Sequence, residues 1–173
     1  MKFGPFYSAE NSVGILIATG NVGNFLSFRA DEVNTYLSRD AGLTWFEIAK
    51  GSNIYEVGDH GGLIVMTDDQ KATDTLRYSW DEGATWELLK FSDVPIQVTN
   101  IIIEPTNTGQ HFVLYGEKLS EFGYQKIAMI VGIDFTSLHQ RVCQGDDTPD
   151  TDASDYETWS PNGSTTANCL LGK

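Results

Sequence analysis

The stretch Ser38-Arg39-Asp40-Ala41-Gly42-Leu43-Thr44-Trp45 returns as Ser79-Trp80-Asp81-Glu82-Gly83-Ala84-Thr85-Trp86. Both copies fit the pattern S-x-D-x-G-x-T-W with all five fixed positions filled, and they begin 41 residues apart. We call them the first and the second octapeptide. This period is typical of one four-stranded propeller blade, a small sheet that buries its faces by stacking on its neighbours. The sequence therefore predicts an all-β chain made of consecutive blades of a β-propeller.

A second, apolar repeat supports this prediction. The segment 14–19 (Gly-Ile-Leu-Ile-Ala-Thr) matches 62–67, and 111–116 is a looser third copy. Short runs of this kind, bounded by turn residues, are typical of strands buried on both faces. The first repeat has seven more residues between its apolar segment and its octapeptide than the second repeat has. We place these residues in a surface loop within 20–32. Strands are predicted at 13–19, 34–38, 44–49, 53–57, 62–67, 74–80, 85–91, 96–104, 111–116 and 125–135.

The residues shared by the octapeptides are predicted to hold a tight hairpin. Each Asp would accept main-chain N–H groups, each Gly would adopt a positive φ, and the Ser and Thr hydroxyls would add hydrogen bonds. Each Trp would cover the edge of the core between blades. A catalytic role for the Asp residues, with the Trp residues binding sugar, is disfavoured because both recur once per blade and so face different directions. The predicted structural residues are Ser38, Asp40, Gly42, Thr44, Trp45, Ser79, Asp81, Gly83, Thr85 and Trp86.

Charge and composition exclude several other functions. The net charge of −13, with eleven scattered Lys and Arg residues, argues against binding to nucleic acid. The acid excess favours solubility, with attraction of basic partners as the alternative. The acidic run from Asp146 to Glu157 lacks the Gly turn and closing Glu of an EF-hand.

The histidines and loops of the sequence indicate neither a metal site nor a cofactor-binding site. His60, His111 and His139 are far apart in the sequence, so we predict no metal site, and His111 is expected to pack in the core. No phosphate-binding loop or nucleophile motif occurs, and no cofactor is predicted.

The octapeptides resemble the Asp-box (bacterial neuraminidase) repeats found in sialidases and in the luminal domains of sortilin-type receptors. Two further stretches favour the sortilin family. The segment 51–63 resembles one of its strand pairs. The tail resembles that family's exit from its propeller into a cysteine-rich module, through Ile133-Asp134-Phe135, Arg141-Val142-Cys143, Asp155-Tyr156-Glu157-Thr158-Trp159 and Cys169-Leu170-Leu171-Gly172-Lys173.

This resemblance implies the vacuolar protein sorting receptor (sortilin) family. Its members carry a ten-bladed luminal propeller, a ten-cysteine region, one membrane span and a cytosolic sorting tail. Residues 1–136 are then expected to form the C-terminal blades, and 137–173 the truncated start of the cysteine-rich module. Because the chain holds two or three blades and two cysteines, with neither a signal peptide nor a span, we expect it to be a fragment.

The tail carries two further expectations. Cys143 and Cys169 are the only cysteines, and either they pair with each other or at least one pairs with a downstream cysteine of the module. Both alternatives imply an oxidising lumen. Asn162 begins a glycosylation sequon, Asn-Gly-Ser, in the same polar tail.

The resemblance implies a binding module and no enzyme. Protein or peptide cargo would bind through the complete propeller, and the other partners would be the remaining blades and the cysteine-rich module. Nucleic acid is not expected, and the membrane would be reached only through a span outside this chain. The location would be the luminal side of Golgi and endosomal membranes, or the cell surface. The alternative is a sialidase-type glycoside hydrolase, which needs an arginine cluster, whereas only Arg77 of the four arginines lies on a predicted strand.

Overall fold

The computed structural model of the chain describes residues 9, 11–27, 29, 31–120, 125–138 and 143–158. Within these ranges the regular structure is ten strands and two 3₁₀ turns, at Asp59–Gly61 and Thr136–Leu138. The all-β prediction is confirmed, and each predicted strand overlaps an observed one. The strands are β1 (Leu16–Gly20), β2 (Asn34–Ser38), β3 (Phe46–Lys50), β4 (Asn53–Gly58), β5 (Leu63–Asp68), β6 (Thr75–Ser79), β7 (Glu87–Lys90), β8 (Gln97–Ile102), β9 (His111–Leu119) and β10 (Lys126–Asp134).

The strands form three antiparallel sheets in chain order. The first sheet is β1-β2-β3, the second is β4-β5-β6-β7, and the third is β8-β9-β10. The first octapeptide joins β2 to β3, and the second joins β6 to β7, so both occupy the same hairpin of their sheets. Consecutive meandering sheets of this kind are propeller blades, as the repeat predicts.

The first and second sheets share one apolar core. Ile17 and Leu37 from the first sheet meet Val57 and Ile64 from the second, and all four are buried. Burying each of these side chains stabilises the fold by about 1.5–3 kcal/mol as an upper bound. The five residues 63–67 of β5 are all buried, as expected for a central strand covered on both faces.

Aromatic rings join the second sheet to the third. The Phe135 ring lies 5.0 Å from that of Tyr78 and 5.8 Å, edge-on, from that of Phe112. Gly58 at the end of β4 allows this approach, because a Cβ there would lie 2.8 Å from the Phe112 ring. A larger residue at Gly58 would therefore push the two sheets apart.

The third sheet departs from the prediction. Burial in β9 alternates: Phe112, Leu114 and Gly116 are buried, and the positions between them are exposed. The prediction that 111–116 is covered on both faces is therefore wrong, because no further sheet covers the other face among the described residues. The prediction that His111 packs in the core is also wrong. Its side chain is 69% exposed, and its Nε2 lies 3.4 Å from Asp134 Oδ1.

The chain divides into two compact units, residues 1–135 and 136–173. All three sheets belong to the first unit. The described part of the second unit is a 3₁₀ turn followed by irregular structure over 143–158. Across the described ranges, no helix has both the length and the apolar character needed to span a membrane.

Candidate functional site: the octapeptide turns

In the first octapeptide, the side chain of Asp40 gathers donors from its own turn. Its Oδ1 accepts the N–H of Thr44 at 2.8 Å and the Ser38 hydroxyl at 2.8 Å, and its Oδ2 accepts the Thr44 hydroxyl at 2.5 Å. The Ser38 oxygen in turn accepts the N–H of Gly42 at 2.8 Å. Two short side chains thus satisfy main-chain donors that a tight turn leaves without partners.

The second octapeptide repeats this network. Asp81 Oδ1 accepts the N–H of Thr85 at 2.8 Å and the Ser79 hydroxyl at 2.7 Å, and Oδ2 accepts the Thr85 hydroxyl at 2.6 Å. The Ser79 oxygen accepts the N–H of Gly83 at 2.8 Å. Only the five fixed positions are shared by the two stretches, so these residues are sufficient to produce the network.

Two consecutive left-handed residues shape each turn. Gly42 and Gly83 have φ of +94° and +79°, and the preceding residues, Ala41 and Glu82, have φ of +57° and +54°. A non-glycine residue in this region costs about 1–2 kcal/mol, and the Asp and Ser hydrogen bonds offset that cost. Only the glycines were predicted to be left-handed, since the position before each of them varies.

The tryptophans differ in their surroundings. Each indole N–H donates to the glycine carbonyl of its own turn, at 3.1 Å for Trp45 and 3.2 Å for Trp86. Trp86 packs against the core between the first two sheets, whereas Trp45 is 36% exposed. The Trp at the last position of the octapeptide therefore covers a core in the second turn and a more exposed surface in the first.

An arginine links the two turns. Arg39 Nε, in the first octapeptide, donates to the Glu82 carbonyl of the second at 2.7 Å. Each turn is also bound to the start of its own apolar strand segment, through Ala41 N–H to the Gly14 carbonyl at 3.0 Å and Glu82 N–H to the Gly62 carbonyl at 3.3 Å. These bonds were not predicted, because Arg39 occupies a variable position of the pattern.

The hydrogen bonds lower the pKa of both aspartates. For Asp40 the cause is the Thr44 hydroxyl, followed by the Thr44 amide. For Asp81 partial desolvation acts in the opposite direction, but hydrogen bonds from Thr85 and Ser79 outweigh it and bring the pKa from 3.8 to about 2. Such carboxylates stay ionised as acceptors and are suited to holding a turn, because proton transfer near neutral pH needs a pKa close to the working pH.

A hydrogen-bonded pair of Asp and Thr, like those in the octapeptides, lies in the second compact unit. Asp150 Oδ1 accepts the N–H of Thr158 at 2.8 Å, and Oδ2 accepts the Thr158 hydroxyl at 2.5 Å. The hydroxyl, then the amide, of Thr158 lowers the pKa of Asp150. These are the atom pairs seen between Asp40 and Thr44, at twice the sequence spacing. The signal in the sequence is the Thr-Trp dipeptide at 158–159, which also ends each octapeptide.

Another carboxylate closes a turn in the first unit. Glu104 Oε1, in the loop between β8 and β9, accepts the N–H groups of Thr108 at 2.6 Å and Gly109 at 2.7 Å. Nothing in the sequence analysis pointed to Glu104, because this loop carries no repeated pattern.

The remaining predicted site residues lie in the tail. Cys143 is exposed and forms no disulfide with a described residue. Cys169 and Asn162 lie outside the described residues, so the disulfide and glycosylation assignments stay predictions. His139 and Arg141 also lie outside them.

The stacked sheets and the repeated turns define a segment of an Asp-box β-propeller. Two family models match the chain: one described as sortilin, neurotensin receptor 3, over residues 2–101, and its C-terminal counterpart over 103–173. Residues 103–135, which include β9 and β10, match the C-terminal description although they belong to the first compact unit. The family boundary therefore falls inside the third sheet.

Curated relatives agree with the family models. Vacuolar protein sorting/targeting protein 10 of Debaryomyces hansenii is 40% identical over 96% of this chain. The proteins of that name from Emericella nidulans and Laccaria bicolor are 39% identical over 90% and 96% of it. The chain spans about a tenth of the length of these relatives, 10% or 11% of each. The chain belongs to the sortilin/Vps10 family, and these matches give the glycosidase alternative no support.

Proposed function

We propose that the chain is part of the luminal ligand-binding domain of a sortilin-like receptor, which sorts proteins between the Golgi, endosomes and the vacuole or lysosome. The observation that carries this proposal is identity of about 40% with vacuolar sorting proteins over nearly the whole chain. The stacked blades agree with it, since such receptors use a propeller. In this proposal the chain performs no catalysis.

The contribution of this segment is mechanical. Residues 1–136 supply the last blades of the propeller, and 137–173 begin the cysteine-rich module. The octapeptides act as clasps that fix the hairpin of each blade, which keeps the blade edges in register for their neighbours. Cargo would bind through the complete propeller, so no residue of this chain is assigned to a cargo contact.

The residues of the tail support an oxidising lumen as the location of this part of the receptor. Cys143, exposed on irregular structure, is available for a disulfide with Cys169 or with a cysteine of the downstream module. Asn162 would carry a glycan in the same compartment. We therefore propose the luminal side of Golgi and endosomal membranes, or the cell surface, as the location.

A chimeric receptor tests the proposal. In the Debaryomyces hansenii relative, this chain would replace the matching segment, and the fraction of a vacuolar reporter protein that is secreted would be measured. We expect secretion close to that of the unmodified receptor. A chimera with Gly83→Ala, which distorts the second octapeptide, serves as the matched control and is expected to lower receptor level and raise secretion. A chimera that reaches the same compartment at the normal level, yet leaves the reporter fully secreted, would contradict the proposed function.

A further inference from the structure

We draw no further inference here: the strongest candidate, the apolar surface patch of Val22, Phe25 and Leu26 in the loop between β1 and β2, is exposed in a chain that spans about a tenth of the length of its relatives, and nothing in the described part of the chain shows what covers it.

Discussion

The two octapeptides have the same hydrogen bonds but different neighbours. The Asp, Ser and Thr contacts in the two turns agree within 0.1 Å. The second turn, however, rests on the first sheet. A Cβ on Gly83 would lie 2.4 Å from Leu37 Cδ2, whereas a Cβ on Gly42 would lie 3.4 Å from Leu16 Cδ1. The network is thus a local property of eight residues, and the burial of a turn is set by the adjacent blade.

Replacement of the tryptophans should give the largest difference in stability between the two turns. Trp86→Ala removes a ring that packs on the shared core and should lower the free energy of unfolding by about 3 kcal/mol. Trp45→Ala removes a more exposed ring, and the loss should be about 1 kcal/mol. Urea denaturation of the two variants measures both values. Equal losses would show that the blade beneath the second turn adds nothing to its stability.

Alanine at the two glycines should give a smaller difference in the same direction. Both positions have positive φ, so Gly42→Ala should cost about 1 kcal/mol from the backbone alone. Gly83→Ala adds a clash with the fully buried Leu37, for a total of about 2–3 kcal/mol. Combining Gly83→Ala with Leu37→Ala in a double-mutant cycle isolates the clash. Additive effects would contradict the close contact.

Removal of the Asp81 carboxylate tests the hydrogen-bond network of the second octapeptide. Asp81→Ala leaves the amide and hydroxyl of Thr85 without an acceptor in the turn and should cost about 1 kcal/mol, since water replaces part of the interaction. Asp40→Ala should act in the same direction. Chemical denaturation measures the loss, with Asp93→Ala, an exposed acid outside both turns, as the control. If Asp81→Ala matched this control, the carboxylate would not be a clasp.

The smallest effect should be the dependence of stability on pH. The pKa of Asp81 in the folded chain is about 2, below the ordinary value of 3.8. A lowered folded-state pKa contributes stability above the unfolded-state value, and this contribution is lost as the pH falls through the folded-state value. The unmodified chain should therefore lose stability between about pH 4 and 2. Urea midpoints at successive pH values should show a shallower loss for Asp81→Asn, and identical curves would contradict the lowered pKa.

Features that repeat along the chain could be predicted from the sequence. All ten strands were predicted because apolar runs and turn residues alternate regularly, and the contacts of Asp40 and Asp81 agree with the turn chemistry proposed for them. These features depend on residues within one hairpin, so local patterns encode them.

Features that depend on neighbouring elements were missed. His111 was assigned to the core because its strand is apolar, but the described residues cover only one face of that strand. The bond from Arg39 to Glu82 joins two turns that are distant in the sequence, at positions that vary between the repeats. The pair of Asp150 and Thr158 has a spacing that the octapeptide pattern does not include.

The separation of eight residues between Asp150 and Thr158 has a practical consequence for protein engineering. The Asp150 pair keeps both of its bonds with four more residues between the partners than the Asp40 pair has. The tip of the first octapeptide, at Leu43, points into solvent. A short peptide tag inserted there would lengthen the hairpin tip to a spacing already used elsewhere in this chain, making it a suitable place to attach a label without disturbing the sheets.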